Sequence, residues 1–196
     1  MMKKIYFILI SIFIFSCNSD ETVIENTNYN TIYNLHAPSE TSFTKFDFDS
    51  GMETPSENEW DIAFKTTTII VNGGSKFTDE EPERTGNAGA YIYNGILSDV
   101  EFVDDELMIQ DSDQGYAIAT GSGNGWYNYS GPPNHIITPI PGKVIILRTR
   151  DNKYAKIEIL SYYLDAPDNP DYTINDSRYY TFNYVLQSEQ GNTTFN

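Results

Sequence analysis

The sequence KVIILRTRDNKYAKIEILSYY, residues 143–163, contains two β-prone runs separated by an Asp-Asn pair. The first run extends from Lys143 to Arg150 and the second from Lys153 to Tyr163. Val, Ile and Tyr favour extended strands, and Asp151-Asn152 tolerates the positive φ angles of a tight turn. This segment therefore predicts an antiparallel β-hairpin.

Similar short runs occur on both sides of the hairpin, separated by clusters of Gly, Pro, Asn and Asp. In Arg178–Gln187 four alternating apolar residues share one face, namely Tyr180, Phe182, Tyr184 and Leu186. Further strands are predicted at residues 43–49, 60–64, 67–71, 90–93, 99–103, 116–120 and 193–195. A single helical turn is predicted within Asp104–Asp113. Short, closely spaced strands indicate one all-β domain, built as an antiparallel β-sandwich or a curled sheet.

The N-terminal residues have the organisation of an export signal. Lys3 and Lys4 precede the apolar run Ile5–Phe15, which is too short to span a bilayer and predicts a secretory signal peptide at residues 1–16. Cys17 follows directly and resembles the lipidated cysteine of bacterial lipoproteins, although an ordinary signal peptide with an incidental cysteine remains an alternative. The resemblance implies cleavage before Cys17 and lipidation of that residue.

The residues after Cys17 are polar and lack apolar periodicity, so we interpret residues 17–30 as a lipidated cysteine and flexible tether, with the β domain at 31–196. Ser19-Asp20-Glu21 resembles the short acidic export signals of Bacteroidetes surface lipoproteins. That resemblance implies an outer-membrane lipoprotein exposed at the cell surface.

Charge and cysteine usage exclude several classes of protein. The formal net charge of −16 argues against nucleic-acid binding, which needs basic patches. Cys17 is the only cysteine in the sequence, so a disulfide framework is excluded.

The sequence offers no recognisable catalytic set, and we predict that the protein is not an enzyme. It has two histidines, His36 and His135, and the glycine-rich segment 121–125 lacks the pattern of a nucleophile elbow or a phosphate loop. Four aspartates occur in one Pro- and Asn-containing segment, at Asp165, Asp168, Asp171 and Asp176. They leave two interpretations open, a solvated acidic loop and a calcium site.

Three segments, taken in order, resemble the HmuY-like haem-binding lipoproteins of Bacteroidetes. They are Trp60–Phe64 (WDIAF) with the Asn72-Gly73-Gly74 turn, Gly125–Tyr129 (GWYNY) with His135 and Pro139 after it, and Val144–Tyr163. The closing segment Tyr179–Phe195 is similar to the final strands of that family. The resemblance extends over nearly all of the sequence after the tether.

The resemblance implies a non-catalytic protein that captures haem or a related porphyrin for iron acquisition, as a hemophore, and delivers it to a TonB-dependent outer-membrane receptor. Haem iron is ligated by imidazole or thioether groups, and the resemblance places His135 and Met108 as the axial ligands. The alternatives are a surface histidine and a methionine that fills the core.

Trp126, Tyr127 and Tyr129 are expected either to line the porphyrin slot or to be strand core. Arg148, Arg150 and Lys153 form the nearest basic cluster in sequence to His135 and are candidates for meeting the propionates. The alternative function is a surface module of the same fold that has lost haem ligation and binds a glycan or a protein.

Overall fold

The computed structural model describes residues 29–38 and 42–195. The predicted signal peptide at 1–16, the lipidation site Cys17 and the tether up to residue 28 lie outside the described residues. Strand β1 begins at Asn30, the last residue of the predicted tether.

Eleven strands form within the described residues. They are β1 Asn30–His36, β2 Thr44–Asp47, β3 Met52–Glu53, β4 Ile62–Lys65, β5 Thr68–Val71, β6 Gly89–Asn94, β7 Tyr127–Tyr129, β8 Ile137–Pro139, β9 Lys143–Arg148, β10 Tyr154–Tyr163 and β11 Ser177–Gln187. Two short 3-10 helices occupy Leu97–Asp99 and Asp105–Leu107, and the second is the helical turn predicted from the sequence. In this part of the chain no helix has the length and apolar character needed to cross a bilayer.

The predicted hairpin of residues 143–163 is confirmed and lies near the centre of a five-stranded antiparallel sheet. The strand order is β1-β11-β10-β9-β6, and the register of β9 and β10 pairs Arg148 with Tyr154 and Ile145 with Ile157. Asn152, in the connecting turn, has a φ of 65°. An asparagine tolerates this left-handed conformation better than most residues do.

A four-stranded antiparallel sheet, in the order β3-β2-β4-β5, packs against the five-stranded sheet. Aromatic rings join the two layers: Phe46 lies 5.6 Å from Phe182 and Phe64 lies 4.9 Å from Tyr180 between ring centroids. Tyr180, Phe182, Tyr184 and Leu186 all face this main core, as their alternation predicted. The fold is therefore an all-β antiparallel sandwich, in agreement with the sequence prediction.

Smaller hydrophobic clusters cover the outer faces of both sheets. Behind the five-stranded sheet, Val144, Ile146 and Tyr154 pack with Val100, Val103 and Phe195. Behind the four-stranded sheet, Trp60, Ala63 and Ile70 pack with Phe43.

Three predicted strands are wrong, because a side chain holds one of these segments and the other two pair over too few residues to form strands. Residues 116–120 form no strand: the Ala117 amide donates to the carboxylate of Asp111 at 2.9 Å, while Ile118 enters the main core. Residues 99–103 and 193–195 pair at a single isolated bridge between Phe102 and Thr194, where the Val103 amide donates to the Thr193 carbonyl at 2.8 Å and the Phe195 amide donates to the Glu101 carbonyl at 2.7 Å. The sequence prediction also missed β1, β3 and the β7–β8 hairpin.

Candidate functional site

One end of the sandwich is built from two neighbouring connections, the β7–β8 hairpin and the loop between β10 and β11. We call residues 128–138 together with residues 164–176 the loop end. The Ile137 amide donates to the Tyr163 hydroxyl at 3.0 Å, which ties β8 to the last residue of β10. The opposite end contains the β9–β10 turn at residues 149–153 and is called the hairpin end.

The glycine-rich segment before β7 is a defined turn that leads into the loop end. Gly121 and Gly123 have φ angles of 94° and 80°, which a side chain at either position would disfavour. The Gly123 amide donates to the Tyr127 carbonyl at 2.9 Å. The turn therefore fixes where β7 begins.

His135 lies in the connection between β7 and β8 and is exposed to solvent. Its backbone has a φ of 49°, and its amide donates to the Gly131 carbonyl at 2.9 Å. The ring nitrogen Nδ1 is hydrogen-bonded to the hydroxyl of Tyr129. The ring of Tyr172, from the other connection, packs edge-to-face on the imidazole with centroids 5.3 Å apart. The structure thus places His135 between tyrosines from two separate segments.

The loop end exposes three large side chains with apolar surface. Tyr129, Tyr172 and Ile174 are 42%, 52% and 78% exposed, although side chains of this size are more often buried. Sequence analysis missed Tyr172 and Ile174 because it considered only the carboxylates of their loop. The signal that was available is a pair of large apolar residues in an otherwise polar segment.

Trp126 and Tyr127 lie in the main core. They are 2% and 8% exposed, and the Trp126 indole nitrogen donates to the Thr67 carbonyl at 3.1 Å. The Trp126 ring also contacts Tyr127 and Tyr180, with centroids 4.9 Å and 5.1 Å away. Of the three predicted slot residues, Tyr129 is the one whose side chain is substantially exposed.

Met108 is not brought to this cluster. It follows the 3-10 helix Asp105–Leu107 and packs on the cluster behind the five-stranded sheet that includes Val144 and Ile146. Its neighbour Ile109 bridges Ala90, which is close to the hairpin end of β6. Met108 as an iron ligand therefore stays a prediction from the sequence.

The basic residues expected to meet the propionates lie at the hairpin end. Arg150 and Lys153 contact aspartates there, with Arg150 Nη1 2.6 Å from Asp47 and Lys153 Nζ 2.6 Å from Asp49. Because β10 spans ten residues, or roughly 30 Å, these cations are far from His135.

At the loop end, by contrast, Arg178 lies near the start of β11. Burial raises the pKa of Tyr162, and the nearby positive charge of Arg178 offsets part of that increase. Arg178 therefore supplies positive charge at the same end of the sandwich as His135.

The aspartates of the loop between β10 and β11 act locally in the described structure. Asp171 accepts from the backbone and hydroxyl of Thr173 at 2.8 and 2.7 Å, and Asp165 accepts from the side chain of Asn34 at 2.9 Å. Among residues 29–38 and 42–195, no group of three or more His, Cys, Asp or Glu side chains is arranged to hold a metal ion.

A polar depression of about 340 Å³ is lined by residues 74–79, Glu83 and Arg84, and it does not include His135. Its surface lacks the apolar lining that a flat hydrophobic macrocycle needs.

The chain belongs to the HmuY family, because the model of that family, described as HmuY protein, matches residues 39–184. No curated protein sequence matches the chain.

Three solved structures share the fold. A candidate lipoprotein from Bacteroides fragilis is 18% identical with a TM-score of 0.53, and the alignment covers 84% of this chain and 94% of that one. A candidate HmuY-like haem-binding protein from Bacteroides vulgatus is 16% identical with a TM-score of 0.51, covering 83% and 94%. The apo form of an HmuY analogue from Tannerella forsythia is 14% identical with a TM-score of 0.53, covering 82% and 98%.

Proposed function

We propose that this protein is a non-catalytic haem-binding lipoprotein that holds haem or a related porphyrin at its loop end. The observation that carries the proposal is the position of His135, exposed between Tyr129 and Tyr172 on a domain of the HmuY family. Membership of the family supports the ligand, and the geometry of this cluster supports the place where it binds.

The side chains of the cluster have the chemistry that haem requires. Imidazole is a common axial ligand of haem iron. Because Nδ1 of His135 is hydrogen-bonded to Tyr129, we assign Nε2 to the iron. The exposed faces of Tyr129, Tyr172 and Ile174 offer apolar surface for the porphyrin, whereas Trp126 and Tyr127 are buried in the main core.

Two further contacts complete the proposal. Arg178 is our candidate for meeting a propionate, because it supplies positive charge near the loop end of a strongly acidic protein. Met108 remains a sequence-based prediction for the second ligand. Its side chain would have to leave the cluster around Val144 and Ile146 to reach a haem beside His135.

Titration of the purified protein with ferric haem, followed by its Soret absorption, tests the function. We expect saturable binding with a shifted Soret band, and at least about tenfold weaker binding after His135→Ala. His36→Ala is the matched control, because His36 is also exposed and also stacks on a tyrosine, Tyr179, with centroids 4.4 Å apart.

A protein that gives no Soret change with either ferric or ferrous haem would refute the function and favour a module that binds a glycan or a protein. If the wild type binds and His135→Ala binds equally well, haem binding stands and the ligand assignment is wrong.

We also propose that Cys17 carries a lipid that holds the domain at the outer-membrane surface, where it passes haem to a TonB-dependent receptor. The support is the short apolar run Ile5–Phe15, which is followed by the small residue Ser16 and then by Cys17. Cells expressing the full chain are expected to incorporate labelled palmitate into it, and Cys17→Ser is expected to abolish the label. Equal labelling of both chains would contradict the anchor.

A further inference from the structure

The contact between Tyr129 and His135 joins two positions whose backbones are fixed independently of the contact. Tyr129 is the last residue of β7, and its amide donates to the Ser122 hydroxyl at 2.8 Å. Next to these two residues, the Ser130 amide donates to the Ile136 carbonyl at 2.9 Å, and the Ile136 amide donates to the Ser130 hydroxyl at 2.9 Å. The connection is therefore a closed loop that presents the Tyr129 hydroxyl to the imidazole.

The second tyrosine restricts the ring from another direction. Tyr172 meets the imidazole edge-to-face at an interplanar angle of 68°. It comes from the β10–β11 connection, which is anchored separately because the Leu164 amide donates to the Asp176 carbonyl at 2.9 Å. Rotation of the His135 ring is thus limited by a hydrogen bond on one side and a ring contact on another.

The choice of a phenol as the partner of Nδ1 has a chemical consequence. A neutral imidazole carries its proton on one nitrogen, and the nitrogen that binds a metal must be the other one. A metal on Nε2 therefore requires a proton on Nδ1 and an acceptor facing that proton. A phenol hydroxyl is both donor and acceptor, so it can hydrogen-bond to Nδ1 in either tautomer.

We propose that Tyr129 is a positioning residue for His135, holding the ring orientation and accepting a hydrogen bond from the Nδ1–H group when Nε2 binds haem iron. This inference rests on the proposed function and adds to it the residue that prepares the ligand. Tyr129 touches the ligand residue rather than the iron.

Tyr129→Phe tests the inference, because it keeps the aromatic ring and removes only the hydroxyl. We expect haem affinity to fall by about 10- to 100-fold, the usual range for loss of a partner that orients a metal-binding histidine. Tyr33→Phe is the matched control, since Tyr33 is a 70% exposed tyrosine on β1. Its affinity is expected to equal that of the wild type.

A second measurement uses the protein without haem. The ¹⁵N chemical shifts of the His135 ring report which nitrogen carries the proton, and Tyr129→Phe is expected to change the ratio of the two tautomers at constant pH. Tyr33→Phe is expected to leave those shifts unchanged.

The outcomes separate this inference from the proposed function. Wild-type haem affinity in Tyr129→Phe, with weakened binding in His135→Ala, overturns the positioning role and leaves the function intact. Wild-type affinity in His135→Ala overturns the ligand assignment and this inference with it. Unchanged ring shifts in Tyr129→Phe overturn the hydrogen bond itself, whatever the affinities show.

Discussion

The two ends of the sandwich use side chains in opposite ways. At the hairpin end, charged groups are turned inward: Arg150 Nη1 lies 2.6 Å from Asp47 and 3.1 Å from Asp61, and the side chain of Asp61 is 1% exposed. At the loop end, large apolar groups such as Tyr172 and Ile174 are turned outward. The hairpin end is thus distinguished by its buried charge. Exposed apolar side chains occur at both ends, since Met52 beside Asp47 is 65% exposed, but those at the loop end lie around His135, where we place the ligand.

Asp61 shows how the hairpin end joins the two sheets. Its carboxylate accepts from the amides of Phe48 and Arg150, each at 2.9 Å, as well as from the Arg150 guanidinium. Phe48 follows β2 of one sheet, whereas Arg150 follows β9 of the other. A buried ionic group of this kind destabilises the fold if any of its hydrogen-bonding or charged partners is removed.

A second buried group reinforces the same region. Arg84 lies 2.6 Å from Glu81 and 2.9 Å from Asp111, and all three side chains are at most 1% exposed. Asp111 also accepts from the Val71 amide at 3.0 Å. The difference between the two ends suggests that the hairpin end determines stability and that the loop end is free to carry function.

The largest expected effect on stability comes from the buried cluster of Arg84, Glu81 and Asp111. Arg84→Met leaves Glu81 and Asp111 buried without their cation, and we expect the free energy of unfolding to fall by about 3–5 kcal/mol. Urea denaturation followed by tryptophan fluorescence measures it. Tyr172→Ser is the matched substitution at the loop end, where a half-exposed side chain is removed, and we expect a change within about 0.5 kcal/mol.

Equal losses of unfolding free energy in Arg84→Met and Tyr172→Ser would contradict this difference between the two ends. Lys76→Met is a second control: it removes a partly exposed ion pair with Glu83 and should lower the free energy of unfolding by about 1 kcal/mol or less. A loss in Arg84→Met no larger than in Lys76→Met would also contradict the difference between the two ends.

A smaller effect concerns the pH dependence of the hairpin end. Burial alone would raise the pKa of Asp47, but hydrogen bonds from Arg150 and Ser50 outweigh burial and hold the pKa below its ordinary value. The stabilisation from this carboxylate is therefore present above the pKa of the unfolded chain and is lost as the pH falls through the lower pKa of the folded state.

Asp47→Asn is expected to lower the free energy of unfolding by about 1 kcal/mol at pH 7, and the difference from the wild type should narrow as the pH approaches 3. Unfolding curves at both pH values measure this. Burial instead raises the pKa of Asp61 and Asp111. The stability that these two carboxyl groups contribute therefore falls, rather than rises, as the pH increases. A difference between Asp47→Asn and the wild type that stays constant with pH would contradict the role of Asp47.

The fold was predictable where the local pattern and the tertiary structure agree. The β9–β10 hairpin and the apolar face of β11 follow from alternation and from a turn that accepts a positive φ. The same reasoning predicted a strand wrongly at residues 116–120, because the amide of Ala117 donates to the Asp111 carboxylate rather than to a neighbouring strand. A sequence does not show which distant carboxylate will replace a strand partner.

The residues of the candidate site likewise fall into those that the sequence predicted and those that it missed. His135 and Tyr129 were predicted together because they belong to one short segment, whereas Tyr172 was missed because it arrives from a connection 37 residues further along. The basic residues Arg148, Arg150 and Lys153 are close to His135 in sequence, yet the length of β10 separates them from it in space.

By itself the sequence determined the class of fold, the central hairpin and the apolar face of β11, because strand alternation and turn chemistry act over a few residues. Only the tertiary structure decided that Trp126 and Tyr127 are buried, that Met108 lies behind the five-stranded sheet and that Tyr172 meets His135. Those outcomes depend on how the two layers pack and on which connections meet at the same end. Packing brings together residues that are far apart in the chain, and no local pattern encodes that meeting.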